Sequence, residues 1–503
     1  MEETTKQVSK KQISSNMIAN IVSYSANLLV AFILTPFLIN NLGKDIYSFY
    51  PMANTIVSYM SVLMNSMNSM ASRFVTVSLV QKKDEEANRY FSSTLAANVI
   101  MSLCLLIPML IIVVFLDKLM KVPINAVASI KLLFALIFSS SLINIAAAVF
   151  GIATFAKNRI DLRSVRELIT AVLKLVLFYV FYKYMTPSII YVGIVTLIVA
   201  IVNIIFQYNY TKYLLPEVKI SWMNISWIHI KELLSSSCWN AINTFGNILL
   251  AGMSLILGNI LFGAMEGGSF SIVNTVPQFI NGCVCMLIGI FYPVITYKYA
   301  QEDKIGLMKE INISQNIVGA LGCAIMSIFT ALAVEFFTLW TPTENANFLS
   351  ILSFATIFPH FIIACMWTLT NLNIVMNKVK IPAIYTLVNG VANVLISIIV
   401  WKLFKPSIIV LPIISGILQC IWIGIFIPLY VSKNLKVKRT QFYGPLIRNL
   451  ICSSLTIVIV SHLKHFFVLN SWFKLISFGM ITGMGSLIVF IFVVFGGKNN
   501  RNC

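Results

Sequence analysis

Long apolar segments recur along almost the whole chain, and they restrict it to one class of structure. Hydrophobic residues make up 58% of the 503 positions and charged residues only 11%. A helix of about 20 apolar residues crosses a bilayer and satisfies its own backbone amides without water. We therefore predict an all-α polytopic membrane protein with about fourteen transmembrane helices.

The predicted spans are numbered 1 to 14 in chain order. They cover residues 17–40, 46–70, 91–116, 128–154, 166–185, 188–209, 238–262, 268–296, 312–337, 347–373, 381–403, 408–430, 447–463 and 473–496. The residues before span 1 are polar, so span 1 itself is predicted to direct insertion, without a cleavable signal peptide.

Residues 21–83 recur at residues 241–303 with a constant offset of 220 and no gap. Eight positions are identical: Asn27/Asn247, Leu29/Leu249, Ala31/Ala251, Gly43/Gly263, Asn54/Asn274, Thr55/Thr275, Thr76/Thr296 and Gln81/Gln301. The repeat relates spans 1 and 2 to spans 7 and 8. It predicts two pseudo-symmetric six-helix lobes plus two C-terminal helices, and transporters with related halves usually bind substrate between them.

The predicted organisation has four parts. They are an N-lobe at residues 1–209, a cytoplasmic interfacial linker at 210–237, a C-lobe at 238–430, and spans 13 and 14 with a cytoplasmic tail at 431–503. The linker segment from Trp222 to Lys231 is too short and polar to span but rich in aromatic rings. It is predicted to lie on the inner membrane surface.

The net charge of +19 follows membrane topology, which argues against nucleic acid as a partner. With a cytoplasmic amino terminus, the inner loops and span ends hold 26 Lys and Arg residues and the outer ones at most nine. This positive-inside bias predicts a multi-pass cell-membrane protein with both termini in the cytoplasm.

Cysteines and sequence motifs give no indication of catalysis. Eight of the nine cysteines fall within spans, and Cys283 and Cys285 lack nearby His or acidic companions at metal-site spacing. There is no Walker loop and no nucleophile paired with a base. We therefore expect no enzymatic activity, no cofactor and no metal, and transport driven by an ion gradient, the membrane potential or the substrate gradient.

Polar side chains form stripes on four spans. The stripe of span 2 contains Asn54, Ser58, Ser61, Asn65, Asn68 and Ser72, which share one helical face. The other candidates are Asn20 and Asn27 on span 1, Asn243 and Asn247 on span 7, and Asn274, Gln278 and Asn281 on span 8. Any one of them could serve helix packing. Together they favour an aqueous cleft lined by amides and hydroxyls, which suits a sugar.

A basic stripe on span 5 runs from Arg159 through Arg163 and Arg166 to Lys174. Lys174 lies deep in the span, about 16 Å beyond Arg163 at 1.5 Å per residue. It could bind substrate, form an ion pair with Glu167, or extend its ammonium group toward the interface.

Three arginines are candidates for binding a diphosphate, because guanidinium groups can hold phosphate oxygens bidentately. They are Arg73, at the inner end of span 2, with Arg163 and Arg166. Ordinary positive-inside anchoring is the alternative for each. Lys131 on span 4, Glu335 on span 9 and His360 on span 10 are weaker candidates for a functional role.

Three short segments accompany the fourteen-span pattern: Asn41-Leu42-Gly43 followed by Tyr47, Ser72-Arg73-Phe74, and residues 215–219 (Leu-Pro-Glu-Val-Lys). With them, the chain resembles the multidrug/oligosaccharidyl-lipid/polysaccharide flippase superfamily. The closest resemblance is to its polysaccharide-transporter branch, the Wzx-type O-antigen and capsule flippases. Ser48 departs from the Gly that many members carry after the tyrosine.

The resemblance implies a V-shaped bundle with a central cleft formed by spans 1, 2, 7 and 8. It implies movement of an undecaprenyl-diphosphate-linked oligosaccharide from the inner to the outer leaflet while the polyprenyl tail stays in lipid. The expected partners are this lipid-linked substrate, membrane lipid, a glycan polymerase and glycosyltransferases.

Three alternatives remain open. Drug or cation exporters of the superfamily have twelve spans and an acidic residue in an early helix, which span 1 lacks. Peptidoglycan-precursor lipid flippases have fourteen spans but carry arginines in their first helix, and span 1 has none. A membrane glycan polymerase or ligase is disfavoured, because no outer loop is longer than about a dozen residues.

Overall fold

The computed structural model describes residues 10–218, 221, 224–376 and 378–496, and within these ranges it contains helices and turns but no strand. Fourteen helices have the length of a span or more. They are α1 Lys10–Leu42, α2 Phe49–Val80, α3 Asp84–Val114, α4 Val127–Ala147, α5 Ile160–Tyr184, α6 Ile190–Leu214, α7 Trp227–Ala251, α8 Ala264–Ala300, α9 Lys304–Trp340, α10 Ala346–Val375, α11 Lys380–Phe404, α12 Val410–Leu435, α13 Tyr443–Leu463 and α14 Trp472–Gly496. The predicted all-α fold is confirmed.

Eleven helices in the described part of the chain are long and apolar enough to cross a membrane. The chain is therefore a multi-pass membrane protein. Helices α2, α5 and α8 are outside this set. Helix α2 is less apolar because it has a polar face, and helix α5 is less apolar because it contains charged residues. The count of fourteen spans stays a prediction, and the fourteen long helices are compatible with it.

The helices divide into two compact units. The amino-terminal unit comprises Met1–Ile248 with Gly263–Gly268, and the carboxyl-terminal unit comprises Leu249–Phe262 with Ser269–Cys503. This division into two units does not test the four-part organisation, which stays a prediction.

In the amino-terminal unit, α2 packs against both α3 and α4, α4 packs against α6, and α1 packs against α5. Met67 of α2, Phe91 of α3 and Leu233 near the start of α7 are fully buried in one core cluster. Helix α2 is therefore held between α3 and α4.

In the carboxyl-terminal unit, α9 is the helix against which α10, α13 and α14 pack. Ala331 and Leu332 of α9 share a cluster with Val460 of α13 and Phe478 of α14. The last two predicted spans are therefore joined to this unit through the carboxyl-terminal half of α9.

Two turns of the repeat have a residue with positive φ at the matched position in both copies. Gly43 and Gly263 have φ angles of 82° and 111°, and Lys82 and Glu302 have φ angles of 58° and 56°. Positive φ is costly for residues with a Cβ, so its recurrence at matched positions reflects a shared turn. The register of the sequence repeat is confirmed at these turns.

The end of the predicted linker belongs to a helix that begins eleven residues before the predicted start of span 7. The Ser93 hydroxyl of α3 accepts a hydrogen bond from the Ser226 amide at 2.9 Å, and the Tyr90 hydroxyl donates to Glu232 at 2.8 Å. Residues 222–223 lie outside the described residues. The described end of the linker is thus fixed to α3.

Candidate functional site

The start of α5 is fixed to α1 by Asn16. Its carboxamide accepts from the Asp161 amide at 3.0 Å and donates to the Asn158 carbonyl at 3.0 Å. Arg159 contacts both carboxylate oxygens of Asp161, from Nε at 3.0 Å and from Nη2 at 3.0 Å. The hydrogen bonds from this guanidinium lower the pKa of Asp161. Arg159 therefore stabilises the helix start.

Glu167 joins the two candidate arginines of α5 to α1. One carboxylate oxygen accepts from Arg163 Nε at 2.8 Å and lies 3.9 Å from Arg166 Nη2. The other accepts from the Ser23 hydroxyl of α1 at 2.9 Å. The Arg163 side chain is 61% exposed and that of Arg166 only 10%. The two cations share one carboxylate, which leaves a net positive charge.

Lys174 has a phenol as its partner. Its Nζ donates to the Tyr50 hydroxyl of α2 at 3.0 Å and lies 5.5 Å from the centre of that ring. The ion pair with Glu167, one of the three alternatives for Lys174, is not formed, and Glu167 contacts Arg163, Arg166 and Ser23 instead. No carboxylate in the described part of the chain lies within ion-pair distance of Lys174.

Arg73 is exposed on α2 and makes no ion pair or side-chain hydrogen bond with another described residue. It lies 23 residues from Tyr50, the contact of Lys174, which corresponds to about 34 Å along the helix. Arg73 and Lys174 therefore cannot hold the same phosphate at one time, and the predicted cations form separate positions along the amino-terminal unit.

The polar face of α2 has two parts with different surroundings. Asn68 exchanges two hydrogen bonds with Asn98 of α3, at 3.1 and 3.0 Å. This reciprocal pair satisfies both amides and joins the two helices, so it assigns Asn68 a packing role.

The other part of the face borders a cavity of about 260 Å³ between α2, α4 and α6. Its lining residues are Asn54, Val57, Ser61, Met64 and Asn65 of α2, Ile137, Ser140, Ser141, Asn144, Ile145 and Ala148 of α4 and the turn after it, and Thr196 of α6. Three predicted cleft residues thus meet in one cavity. The α4 residues were missed, although the run Ser139-Ser140-Ser141 in an apolar span was a usable signal.

The remaining predicted residues of the amino-terminal unit lie on α1 and α7. Asn20, Asn27 and Asn247 are exposed, and Asn243 is half-buried. Asn27 donates to the Ser23 carbonyl of its own helix at 2.9 Å. Their meeting with the α8 residues in one cleft stays a prediction.

In the carboxyl-terminal unit, Asn281 of α8 bonds to His360 of α10. Its Nδ2 lies 3.2 Å from His360 Nε2, and His360 Nδ1 lies 3.1 Å from the Thr356 carbonyl. Because a carbonyl can only accept, the Nδ1 atom carries the proton and Nε2 accepts from Asn281. His360 therefore acts in helix packing. Asn274 is half-buried and Gln278 exposed on the same helix.

Helix α7 is interrupted after Ala251 and continues as two short segments, Met253–Leu257 and Gly258–Phe262. The buried Asn393 of α11 donates to the carbonyls of Leu249 and Leu250, at 3.2 and 3.1 Å. An interruption leaves carbonyls without their helical partners. Sequence reading missed this contact, for which an asparagine inside apolar span 11 was the only signal.

A larger cavity of about 640 Å³ lies at the turn between α2 and α3. It is lined by Lys82, Lys83, Asp84, Glu85, Glu86, Arg89 and His229. Its three cationic side chains are balanced by three carboxylates, so it has no net charge that would select an anion.

The weaker candidates Lys131 and Glu335 are in ion pairs. Lys131 bonds to Asp117 and to the Val114 carbonyl, and Lys464 lies 3.0 Å from Glu335. Each pair joins neighbouring helices, which explains these charges structurally. Within the described residues, no group of three His, Cys, Asp or Glu side chains could hold a metal ion.

No family model matches the chain. The chain is 25% identical over 97% of its length to an uncharacterized membrane protein, EpsK of Bacillus subtilis, of which it covers 96%. Its structure matches the lipid II flippase MurJ in an inward closed conformation with a TM-score of 0.68 at 14% identity. That match covers 96% of this chain and 99% of the other.

A further match is an outward-facing multidrug resistance transporter of the MATE family, described as part of the MOP superfamily. The TM-score is 0.62 at 12% identity, with 85% of this chain and 96% of the other covered. At these identities the matches define the fold. The chain therefore has the same fold as these two proteins.

Proposed function

We propose that this protein is a flippase that moves a polyprenyl-diphosphate-linked oligosaccharide from the cytoplasmic to the outer leaflet by alternating access, for surface polysaccharide synthesis. One observation carries the proposal. In the amino-terminal unit, a cavity of uncharged amides and hydroxyls lies close to an intramembrane cation, because Asn54 of the cavity is one helical turn from Tyr50, the partner of Lys174. These groups match a sugar linked to an anion.

The charges within the spans favour an anionic substrate. Glu167 and Glu335 are the only carboxylates inside the predicted spans, and each is engaged by a cation. Lys174 has no such counter-charge among the described residues. A cation exporter would need an available carboxylate in the same region, because buried charges require opposite partners.

The cations are arranged as successive positions. Arg73, Arg163 and Arg166 lie toward the predicted cytoplasmic ends of their helices, and Lys174 lies about 12 Å beyond Arg166 along α5. A diphosphate entering from the cytoplasm would first replace Glu167 as the partner of the arginines. Lys174 would then stabilise the same anion further along its path.

The structural match to MurJ supports a lipid-linked substrate. It also favours a second candidate, the flipping of a peptidoglycan-precursor lipid. We rank this second, because span 1 contains no arginine, and because the cavity beside Lys174 is uncharged. Contact with a glycan polymerase and glycosyltransferases belongs to the proposal, as these would consume and supply the substrate.

Deletion of the gene in its native host tests the proposal. Mass spectrometry of lipid extracts is expected to show accumulation of polyprenyl-diphosphate-linked oligosaccharide, with surface glycan lost and restored by the wild-type gene. Accumulation of a peptidoglycan precursor would support the second candidate instead. Normal glycan together with increased drug sensitivity would point to the exporter.

A further inference from the structure

The cavity between α2, α4 and α6 has a defined chemical character. Its polar lining consists of amides and hydroxyls, and none of its lining side chains carries a formal charge. Ser140 and Ser141 are buried, at 3% and 7% exposure, whereas Asn65 and Asn144 are exposed. The serines therefore form the interior of the cavity and the two asparagines its open edge.

Several of these groups have hydrogen-bonding capacity left. Neither Ser141 nor Asn144 makes a hydrogen bond to another described residue. Asn54 and Asn65 use their Nδ2 atoms, toward the Tyr50 carbonyl at 3.0 Å and toward Ser61 at 3.4 Å, so their carboxamide oxygens can still accept. Polar groups in a bilayer need partners. A ligand with several hydroxyl groups supplies them.

The size of the cavity restricts that ligand. At about 30 Å³ per water molecule, a volume of 260 Å³ corresponds to about nine waters. This is comparable to a single sugar ring, and any further sugars of the head group would lie beyond the open edge. The aliphatic side chains of Val57, Met64, Ile137 and Ile145 lie between the polar groups. A pyranose has the matching surfaces, with hydroxyls around the ring and C–H groups on its faces.

We propose that this cavity binds one uncharged pyranose ring of the transported head group, and that Ser140, Ser141 and Asn144 determine which sugar is accepted. The assignment rests on the proposed flippase function. A site built to bond a substrate hydroxyl rejects an analogue that lacks it, because its own polar groups then stay unpaired. Selection of one sugar in the repeat unit follows from that cost.

Saturation-transfer difference NMR on the purified full-length protein in detergent tests the site directly. The probes are the methyl pyranosides of glucose, galactose, N-acetylglucosamine and N-acetylgalactosamine. At least one probe is expected to give a saturation-transfer signal with the wild type. The Ser140→Leu/Asn144→Leu double variant should lose that signal, because it fills the cavity and removes two polar groups.

Ser139→Leu is the matched control, since Ser139 is exposed, lies outside the cavity and bonds only to the Ala135 carbonyl of its own helix. It should keep the signal. Asn144→Ala, at the open edge, provides a variant with little risk to folding and should weaken the signal of the same sugar. Absence of signal from every probe, or an equal signal in wild type and folded double variant, would overturn the assignment.

Export separates failure of this site from failure of the proposed function. If deletion accumulates lipid-linked oligosaccharide but the double variant exports normally at wild-type abundance, the pyranose site is wrong and the flippase function stands. If deletion accumulates no such lipid, the proposed function is wrong, and with it the assignment of the cavity to a transported sugar.

Discussion

The amino-terminal and carboxyl-terminal units place similar polar residues in different surroundings. In the amino-terminal unit, Asn65 and Asn144 border a cavity, and the Tyr50 phenol is the only partner of Lys174 among the described residues. In the carboxyl-terminal unit, Asn281 bonds to a histidine and Asn393 to two carbonyls. An intramembrane amide can therefore serve a ligand or a helix contact, and its partners distinguish the two.

The difference also concerns charge. Glu335 and Lys464 of the carboxyl-terminal unit bond to each other, so this pair contributes no net charge. Glu167 of the amino-terminal unit is shared by two arginines, and Lys174 adds a further positive charge. We infer that the amino-terminal unit interacts with the anionic part of the substrate.

The largest effect is expected for Lys174→Ala. Loss of a charge-assisted contact of about 1.5–3 kcal/mol should lower export roughly tenfold to a hundredfold. The Lys174→Arg variant, which keeps the positive charge, should retain part of the export activity. The measurement is the amount of lipid-linked oligosaccharide accumulated per cell, compared at equal protein abundance.

Lys183 offers a matched control for this prediction. It lies on the same helix and also donates to a tyrosine hydroxyl at 3.0 Å, but at the exposed end of α5. Lys183→Ala should export normally. Equal export by Lys174→Ala and wild type would remove the functional distinction between the units.

The second prediction concerns stability in the carboxyl-terminal unit. Asn393→Leu would leave the carbonyls of Leu249 and Leu250 without their donor, at an expected cost of about 1–3 kcal/mol. The thermal midpoint of the purified protein should fall. Asn389→Ala is the control on the same helix, because the Asn389 amide nitrogen has no partner among the described residues. Similar midpoints for the two variants would show that Asn393 does not hold the interruption.

The third prediction tests whether the α2 face is divided. Asn68→Leu or Asn98→Leu should each destabilise by about 1–2 kcal/mol, because the remaining amide loses both bonds. The double Leu variant should recover much of this loss, which a double-mutant cycle on thermal midpoints measures. Additive losses would instead mean that the two amides act independently, and Asn68 would then be available to substrate.

The helices could be predicted from the sequence more completely than the residues of the candidate site. Apolar length identifies spans well, because a bilayer requires long apolar helices. Helical spacing placed Asn54, Ser61 and Asn65 on one face, and these three do border one cavity. The spacing could not separate Asn68 from them, because the division depends on Asn98 of another helix.

The sequence did not allow us to predict side-chain partners that lie far apart in the chain. Glu167, two helical turns from Lys174 and at the limit of its reach, was one alternative partner, but it contacts Ser23 of α1 and Arg163 instead. Tyr50, the actual partner, is more than a hundred residues away in the chain. Contacts of this kind are determined by helix packing, which local periodicity does not report.

The smallest effect is expected at the turn between α8 and α9. This turn has the same backbone hydrogen bond as the matched turn between α2 and α3, but Asp303 stands where the first copy of the repeat has Lys83. The Lys83 amide bonds to the Ser78 carbonyl at 2.9 Å, and at the matched position the Asp303 amide bonds to the Lys298 carbonyl at 3.2 Å. Asp303 also caps α9 by accepting from the Gly306 amide at 2.8 Å.

The Lys298 ammonium, 2.9 Å from the Asp303 carboxylate, and then the Gly306 amide lower the pKa of Asp303. A lowered folded-state pKa means that this carboxylate stabilises the protein above its unfolded pKa of about 3.9, and that the contribution is lost as the pH falls through the folded value. Asp303→Ala should therefore lower the thermal midpoint slightly at pH 7 and less at pH 3. Asp303→Asn, which keeps a capping oxygen, should lose less than Ala at pH 7. A midpoint difference that did not change with pH would mean that the turn depends on the cap alone, and that the exchange of Lys83 for Asp303 between the units has no electrostatic consequence for folding.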